Sequence, residues 1–274
     1  MNIQKITKIL TDSGIEENEA KKEVEILLEH FYGYTPKDRL MGVSLSDEKL
    51  ALIEEKALLR AEKRIPVQHI TGEAWFMGNW FKVSPDVLIP RDETEILATE
   101  AIRVIKENDF KDILDIGTGS GCIACTIAKQ TDATVLGVDI SSDALRIALD
   151  NVTRLGINNR AIFRKSDLFE KIRVEEKFDM IVSNPPYIPF GTELEPEVRH
   201  EPALALFAEE NGLAVYRKII ENAPKYLKKG GVLMFELGIG EWKSVKEIMS
   251  ERFENITIIK DLAGIERVIY GQKN

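Results

Sequence analysis

Asn184-Pro185-Pro186-Tyr187 follows directly on the apolar run Phe178-Asp179-Met180-Ile181-Val182-Ser183 and holds the residue types needed to grip a planar NH2 group. Neither proline has a backbone N–H, so neither continues a sheet ladder, and carbonyls in the bend stay available to an outside donor. The Asn184 side-chain oxygen and the Pro185 carbonyl can each accept one N–H of an amide or amino group, while Pro186 adds rigidity and the Tyr187 ring packs on the flat face of the guest. A nitrogen held this way is turned towards an electrophile. Taken alone, the same residues also describe a strand ending in a rigid Pro-Pro turn.

A second constellation lies upstream. Leu114-Asp115-Ile116-Gly117-Thr118-Gly119-Ser120-Gly121 reads as a strand entering a glycine-rich turn and then a helix, so backbone can approach a ligand where side chains would block it. The G-x-G-x-G spacing departs from the dinucleotide G-x-G-x-x-G, and the G-x-x-x-x-G-K-[ST] phosphate cradle is absent, which disfavours NAD and ATP. Asp139, closing the run Gly137-Val138-Asp139, stands where a carboxylate accepts both hydroxyls of a ribose. Asp167, in Ser166-Asp167-Leu168-Phe169, can accept from an adenine amino group, with Leu168 or Phe169 as an apolar wall. Either acid can equally cap a following helix.

Positioning these loops requires an α/β scaffold. Seven short β-type runs (113–116, 134–138, 161–164, 178–182, 232–236, 256–260 and 268–270) alternate with helical segments such as 142–155, 212–227 and 241–252, the pattern of a doubly wound, mostly parallel sheet. Before it, apolar residues at helical spacing predict a small helical domain over 1–68, with Ser46 as an N-cap and breaks at Gly14, Gly33-Tyr34-Thr35-Pro36 and Gly42. Residues 69–86 read as a linker carrying a β-hairpin that turns at Gly78-Asn79, and 87–274 as the α/β domain. The hairpin aromatics suit cross-strand packing or stacking on a ligand.

Composition narrows the partners. With 37 Lys+Arg against 46 Asp+Glu the net charge is −9, which argues against a long non-specific grip on nucleic-acid phosphate. No stretch approaches the roughly 20 apolar residues of a membrane span and no apolar signal core opens the chain, so a cytoplasmic protein is expected. Cys122 and Cys125 form a C-x-x-C, a spacing that can read as a redox pair; on a largely apolar helix the two read instead as buried packing. His30, His69 and His200 are scattered, and no metal is expected.

The glycine loop, Asp139, Ser166-Asp167 and Asn184-Pro185-Pro186-Tyr187, in this order, resemble a class I S-adenosylmethionine-dependent methyltransferase, with its Rossmann-like seven-stranded sheet. More narrowly, Pro66-Val67-Gln68-His69-Ile70-Thr71-Gly72, Leu88-Ile89-Pro90-Arg91-Asp92-Glu93-Thr94-Glu95, 115–122 and Glu201-Pro202-Ala203-Leu204-Ala205-Leu206 are similar to the HemK/PrmC family, whose members methylate the side-chain nitrogen of a glutamine in peptide chain release factors. The resemblance runs from about Pro66 to Tyr270 and is only general in the helical segment. It implies S-adenosylmethionine as cofactor, held by Asp115, Gly117, Thr118, Gly119, Ser120, Gly121, Asp139, Asp167, Leu168 and Asn184. It also implies release factors as protein substrates, methylated at the Gly-Gly-Gln glutamine held by Asn184, Pro185, Pro186 and Tyr187, with Asn184, Pro185 and Tyr187 as the catalytic group. A monomer with a helical substrate-recognition domain is expected.

No general base is obvious; the resemblance implies that 91–95 lies beside the methionine end of the cofactor or closes the substrate cleft, a helix start explains the same residues, and Arg91, Glu93 and Glu201 are not counted as catalytic. Two positions depart from the family: Asp92 stands where proline is usual, and Glu209 where glycine is usual, which bears on the path of those loops. Rival readings are an adenine-N6 DNA or RNA methyltransferase, since the corner also suits the exocyclic amine of a flipped base, and a non-catalytic S-adenosylmethionine-binding interaction module.

Overall fold

A computed structural model describes residues 2–273, which divide into two compact units. The first is the segment ending at Glu73 together with Leu194–His200. It contains α1 (Ile3–Asp12), α2 (Glu17–Tyr32), α3 (Pro36–Leu40), α4 (Asp47–Lys63) and α5 (Val67–Thr71). The helix ends lie where the sequence places its breaks. Gly33 closes α2 in the left-handed conformation, Thr35 and Asp38 form a reciprocal capping box ahead of Pro36, and the Ser46 side chain accepts the Lys49 N–H. Ile6, Leu10, Val24, Leu27, Leu28 and Ile53 fill the core between the helices.

One charged residue sits inside this unit. Arg60 is 1% exposed, and its Nε lies 3.0 Å from both oxygens of the buried Glu23, while Nη1 reaches Glu197 Oε1 at 2.7 Å. Glu197 belongs to the Leu194–His200 segment, so the pair of carboxylates fastens that segment to the helices. Burial pushes the Glu23 carboxyl upward and opposes the charge on Arg60, but its hydrogen bonds and attraction to Glu23 and Glu197 leave the guanidinium above its ordinary range. Arg60→Ala is therefore expected to destabilise the protein by roughly 3–5 kcal/mol, because it strands buried carboxylate without a partner. Urea denaturation of the folded variant measures this; a loss within experimental error of zero contradicts it.

The second unit is Ala74–Glu193 with Glu201 onward. It opens with a hairpin of β1 (Glu73–Phe76) and β2 (Asn79–Lys82). The two residues with positive φ are Met77 and Gly78, so the turn sits one residue earlier than Gly78-Asn79, and Asn79 begins the second strand while its side chain donates to the Met77 carbonyl. Trp75 packs edge-on against Trp80 and Phe76 against Phe81, so the aromatics are cross-strand pairs.

There follow α6 (Asp92–Asn108), β3 (Asp112–Ile116), α7 (Cys122–Gln130), β4 (Thr134–Asp139), α8 (Ser142–Leu155), β5 (Ala161–Lys165), β6 (Phe178–Ser183), β7 (Ile188–Pro189), α9 (Ala203–Leu206), β8 (Phe207–Ala208), α10 (Ala214–Asn222), β9 (Leu227–Glu236), α11 (Trp242–Ser250), β10 (Phe253–Lys260) and β11 (Glu266–Lys273). The main sheet has seven strands in the order β10-β11-β9-β6-β3-β4-β5; β11 runs antiparallel to both neighbours and the rest are parallel. Successive strand residues serve opposite faces: Ile113, Met180 and Val182 enter one core, Leu114, Ile181 and Leu233 the other. Both cysteines of α7 are buried, and burial pushes the Cys122 thiol up to about 12, as expected of packing residues.

Candidate active site

Strand order determines where loops can meet. From the central β3 the chain moves outward through β4 and β5, then crosses back to β6 on the other side of β3, and ligands of such sheets bind beyond the carboxyl ends at this switch point. In the register, Ile116 pairs with Ser183 and Ser183 with Phe235. The glycine loop, the Asn184 bend and Glu236 therefore leave the sheet from level positions on three adjacent strands. A cavity of about 300 Å³ occupies this edge.

Its floor is the loop after β3. The Gly117 and Thr118 N–H groups donate to the Val138 carbonyl at 2.9 and 3.0 Å, and the Gly119 N–H donates to Asp139 Oδ2 at 2.9 Å. Gly117, Thr118, Gly119 and Ser120 line the cavity, and Ser120 Oγ is buried without a protein partner. Asp115 and Gly121 stand behind these residues. Asp115 is fully buried, accepts the Thr118 hydroxyl at 2.6 Å, and is pushed up to about 7 chiefly by burial. Gly121 is left-handed at φ +77, and a Cβ there would come within 3.0 Å of Phe163 and 3.1 Å of Ala148, so only glycine lets the loop enter α7 this close to β5 and α8.

Asp139 lines the cavity from the end of β4. Its Oδ1 accepts the Ser141 N–H at 2.8 Å, and with the Gly119 bond this aims each oxygen while leaving each a further lone pair. Burial raises its carboxyl above the usual range. Beyond β5, Asp167 and Leu168 also line the wall, and Leu168 adopts a left-handed φ of 45° with its carbonyl held by Ser166 Oγ at 2.8 Å. Phe169 stacks on Tyr226 inside the core, so of the two it is Leu168 that faces the cavity.

Asn184, Pro185 and Pro186 form the opposite wall. Among the described residues no backbone N–H bonds the Pro185 carbonyl, which leaves it free to accept. Asn184 Nδ2 donates to Thr94 Oγ1 at 3.3 Å. Tyr187 does not line the cavity: its ring abuts Gly238, where a Cβ would come within 2.8 Å of it, and burial raises its hydroxyl to about 12. The tyrosine thus braces the bend from behind.

The remaining wall joins the segments of Arg91 and Glu201, which the sequence left outside the catalytic group. Pro90 and Pro202 both face the cavity, and Glu201, buried, accepts the Ile89 N–H at 2.9 Å and bonds the Arg91 guanidinium. Glu201→Ala is expected to cost about 1–3 kcal/mol by leaving that N–H unsatisfied, and Glu201→Gln less, because an acceptor remains. Thermal unfolding of the two variants decides; equal losses contradict the role given to the Ile89 bond.

Of the two departures, Asp92 opens α6 favourably for its charge. Glu209 has φ −70, so it needs no glycine, and the left-handed residues fall on Glu210, Asn211 and Gly212 instead. Thr94, inside the Leu88–Glu95 motif, and Glu236, closing an apolar run, were given no individual site role in the sequence. Thr94 lines the cavity and Glu236 is buried beside Asn184, its carboxyl raised to about 7 by burial and partly offset by hydrogen bonds from Thr94 and Asn184. No group of three or more His, Cys, Asp or Glu among the described residues could hold a metal ion, and no helix among them is long and apolar enough to cross a membrane.

The cavity fits an elongated nucleoside-bearing molecule: oriented carboxylate for hydroxyls, an apolar wall, close-approaching backbone and an unpaired serine hydroxyl. Comparison with known proteins agrees. Residues 107–270 match a methyltransferase domain model and residues 3–72 a PrmC N-terminal domain model. A release factor glutamine methyltransferase of Geobacter sulfurreducens is 41% identical over 273 residues, covering 96% of this chain and 92% of the relative. That of Fusobacterium nucleatum is 41% identical over 239 residues, covering 85% and 67%. In fold the chain is similar to a Pyrococcus furiosus methyltransferase (TM-score 0.54, 19% identity, 84% of this chain and 100% of that one). It is likewise similar to a T. thermophilus 16S rRNA methyltransferase in complex with AdoMet and guanosine (TM-score 0.55, 18% identity, 74% and 50%).

Proposed function

This chain belongs to the release factor glutamine methyltransferase family, and from that premise we propose how its site transfers a methyl group from S-adenosylmethionine to the side-chain amide nitrogen of the Gly-Gly-Gln glutamine of peptide chain release factors. The observation that carries the reading is the meeting of the Asn184-Pro185-Pro186 wall and the glycine loop in one cavity.

Bound S-adenosylmethionine supplies a methyl group activated by a sulfonium. Asp139 accepts the ribose hydroxyls, Asp167 the adenine amine, and Leu168 covers the base, while Gly117, Thr118, Gly119 and Ser120 bring backbone and hydroxyl close to the rest of the molecule. Asp115 and Gly121 act indirectly, by fixing the loop. An amide nitrogen is a poor nucleophile because its lone pair is delocalised. Asn184 Oδ1 and the Pro185 carbonyl take its two hydrogens, polarise it and aim it at the methyl carbon. Pro186 and Tyr187 hold that bend rigid. As the nitrogen–carbon bond formed, the sulfur–carbon bond would break to leave S-adenosylhomocysteine, and the proton lost from the nitrogen would pass to solvent.

The helical unit matches the N-terminal domain of this family, and we assign to it recognition of the release factor, with the chain working as a cytoplasmic monomer. The acidic balance of the whole chain disfavours nucleic acid as substrate. Incubation with labelled S-adenosylmethionine and, separately, a release factor, its variant with the Gly-Gly-Gln glutamine replaced by alanine, and bulk nucleic acid tests the substrate. Label on the intact release factor only is expected. Label on nucleic acid alone, or on both release factors equally, overturns the reading.

A further inference from the structure

We propose that Glu236 is a positioning residue that works through Asn184: with Thr94 it engages the NH2 side of the Asn184 carboxamide and so keeps the acceptor oxygen turned to the substrate. The inference deepens the function proposed above and rests on it.

An asparagine amide can face a guest with either end, and only its oxygen accepts a substrate N–H. Something must therefore select the rotamer. Asn184 Nδ2 donates to Thr94 Oγ1 at 3.3 Å, and Thr94 and Asn184 both favour the ionised Glu236 carboxylate, as polar donors beside it do. A hydroxyl that accepts from the amide has its own hydrogen left to donate, so the chain runs from Asn184 through Thr94 to Glu236 in one direction. With Oδ1 in place of Nδ2, the amide would set an oxygen against a carboxylate oxygen. The scaffold fixes the placement: Ser183 and Phe235 are paired, so the residues that follow them leave adjacent strands together. Glu236 is itself held by the pairing with Val268 and by the Tyr216 hydroxyl, which donates to its carbonyl at 2.7 Å.

Two further observations indicate that the carboxyl serves this purpose. Glu236 is 2% exposed, and its Oε2 is buried with no partner, a costly arrangement for a residue needed only to end a strand. The carboxyl titrates near 7, raised first by burial. The charges around it are Glu93 on α6, which raises it, and Arg267 on β11, which lowers it; Tyr187, Tyr216 on α10 and Cys122 on α7 also feel its charge. Once protonated, Glu236 can donate a hydrogen bond as well as accept one, and the selection between the two amide rotamers weakens. Turnover then falls as the pH drops through this range.

The test is steady-state methylation of the release factor by the full-length protein from pH 5.5 to 9, together with calorimetric titration of S-adenosylhomocysteine. Glu236→Gln is neutral at every pH and can present either end of its amide. It is expected to lower kcat roughly tenfold, the order of one charge-assisted hydrogen bond, with cofactor-product affinity unchanged and the acid limb of the kcat profile gone. Asp115 and Glu241 also titrate near 7, so loss of the limb in this variant is what ties it to Glu236. Should Glu236→Gln not fold, Thr94→Val breaks the same chain and Thr94→Ser restores it; the first is expected to lose kcat and the second to keep it. A folded Glu236→Gln with wild-type kcat, with its acid limb intact, or with affinity lost in step with kcat overturns the proposal, as does equal turnover in the two Thr94 variants. Failure of the wild-type protein to label the release factor would instead strike the function on which the proposal stands.

Discussion

Asn184→Ala is expected to reduce kcat by roughly a hundredfold, about 3 kcal/mol of transition-state stabilisation, while leaving affinity for S-adenosylhomocysteine near the wild-type value. The reason lies in what each part of the cavity touches. Asn184 lines the cavity from the strand next to the one that carries the glycine loop, its amide nitrogen donates to Thr94, and in the proposed reaction its oxygen meets the incoming amide. Removing it takes away one of two acceptors that orient the nucleophile and leaves Asp139, Asp167 and the loop as they were. An effect confined to turnover identifies a group that acts on the reacting atoms. Loss of affinity by the same factor would place Asn184 in cofactor binding instead.

Asp139→Ala should divide the two quantities the other way. Its carboxylate accepts the Gly119 and Ser141 N–H groups and keeps a lone pair on each oxygen for the cofactor hydroxyls. A hydrogen bond to a charged group contributes about 1.5–3 kcal/mol, so S-adenosylhomocysteine affinity should fall on the order of tenfold to a hundredfold. At saturating S-adenosylmethionine kcat should stay within roughly threefold, because the methyl acceptor site is untouched. Asp139→Asn retains one acceptor oxygen and should fall between. Calorimetry and single-turnover rates on the same preparations check this; unchanged affinity in Asp139→Ala would remove the carboxylate from the cofactor site.

The contrast between these residues and Glu236 bears on what a sequence can reveal. Local signals were realised where the physics is local. Ser46 caps α4, Gly33 ends α2 in a left-handed residue, and the seven apolar runs became the seven strands of the main sheet. β9 nevertheless starts at Leu227, ahead of its apolar run: Leu227 pairs with Phe178, and Lys228, Lys229, Gly230 and Gly231 form an irregular stretch before pairing resumes at Val232, with no hydrophobic pattern to announce it. The hairpin turn lies one residue earlier than Gly78-Asn79 because Met77 takes the positive φ beside Gly78.

Residues joined by tertiary structure were harder to read. Glu236 closes an ordinary apolar strand and Thr94 lies in the first turn of a helix; nothing near either in the chain points to Asn184, and only the level ends of β6 and β9 bring them together. Glu201 and Arg91 lay within motifs that drew notice, yet their bond spans 110 positions. The Arg60–Glu197 pair spans 137, and it makes Leu194–His200 part of the helical unit. Tyr187, expected to cover the flat face of the substrate, packs its ring against Gly238 and is not among the residues that line the cavity.

Catalysis in this site is a matter of geometry: one carboxamide, both of its N–H groups bonded to carbonyl oxygens, its nitrogen facing the methyl group. A crystal structure of the protein with S-adenosylhomocysteine and a peptide containing the Gly-Gly-Gln sequence tests it most directly. The account predicts the glutamine nitrogen within hydrogen-bonding distance, about 2.7–3.2 Å, of both Asn184 Oδ1 and the Pro185 carbonyl oxygen, on the line from the cofactor sulfur. A glutamine that enters with its carbonyl oxygen foremost, or an Asn184 that presents Nδ2 to it, contradicts the account.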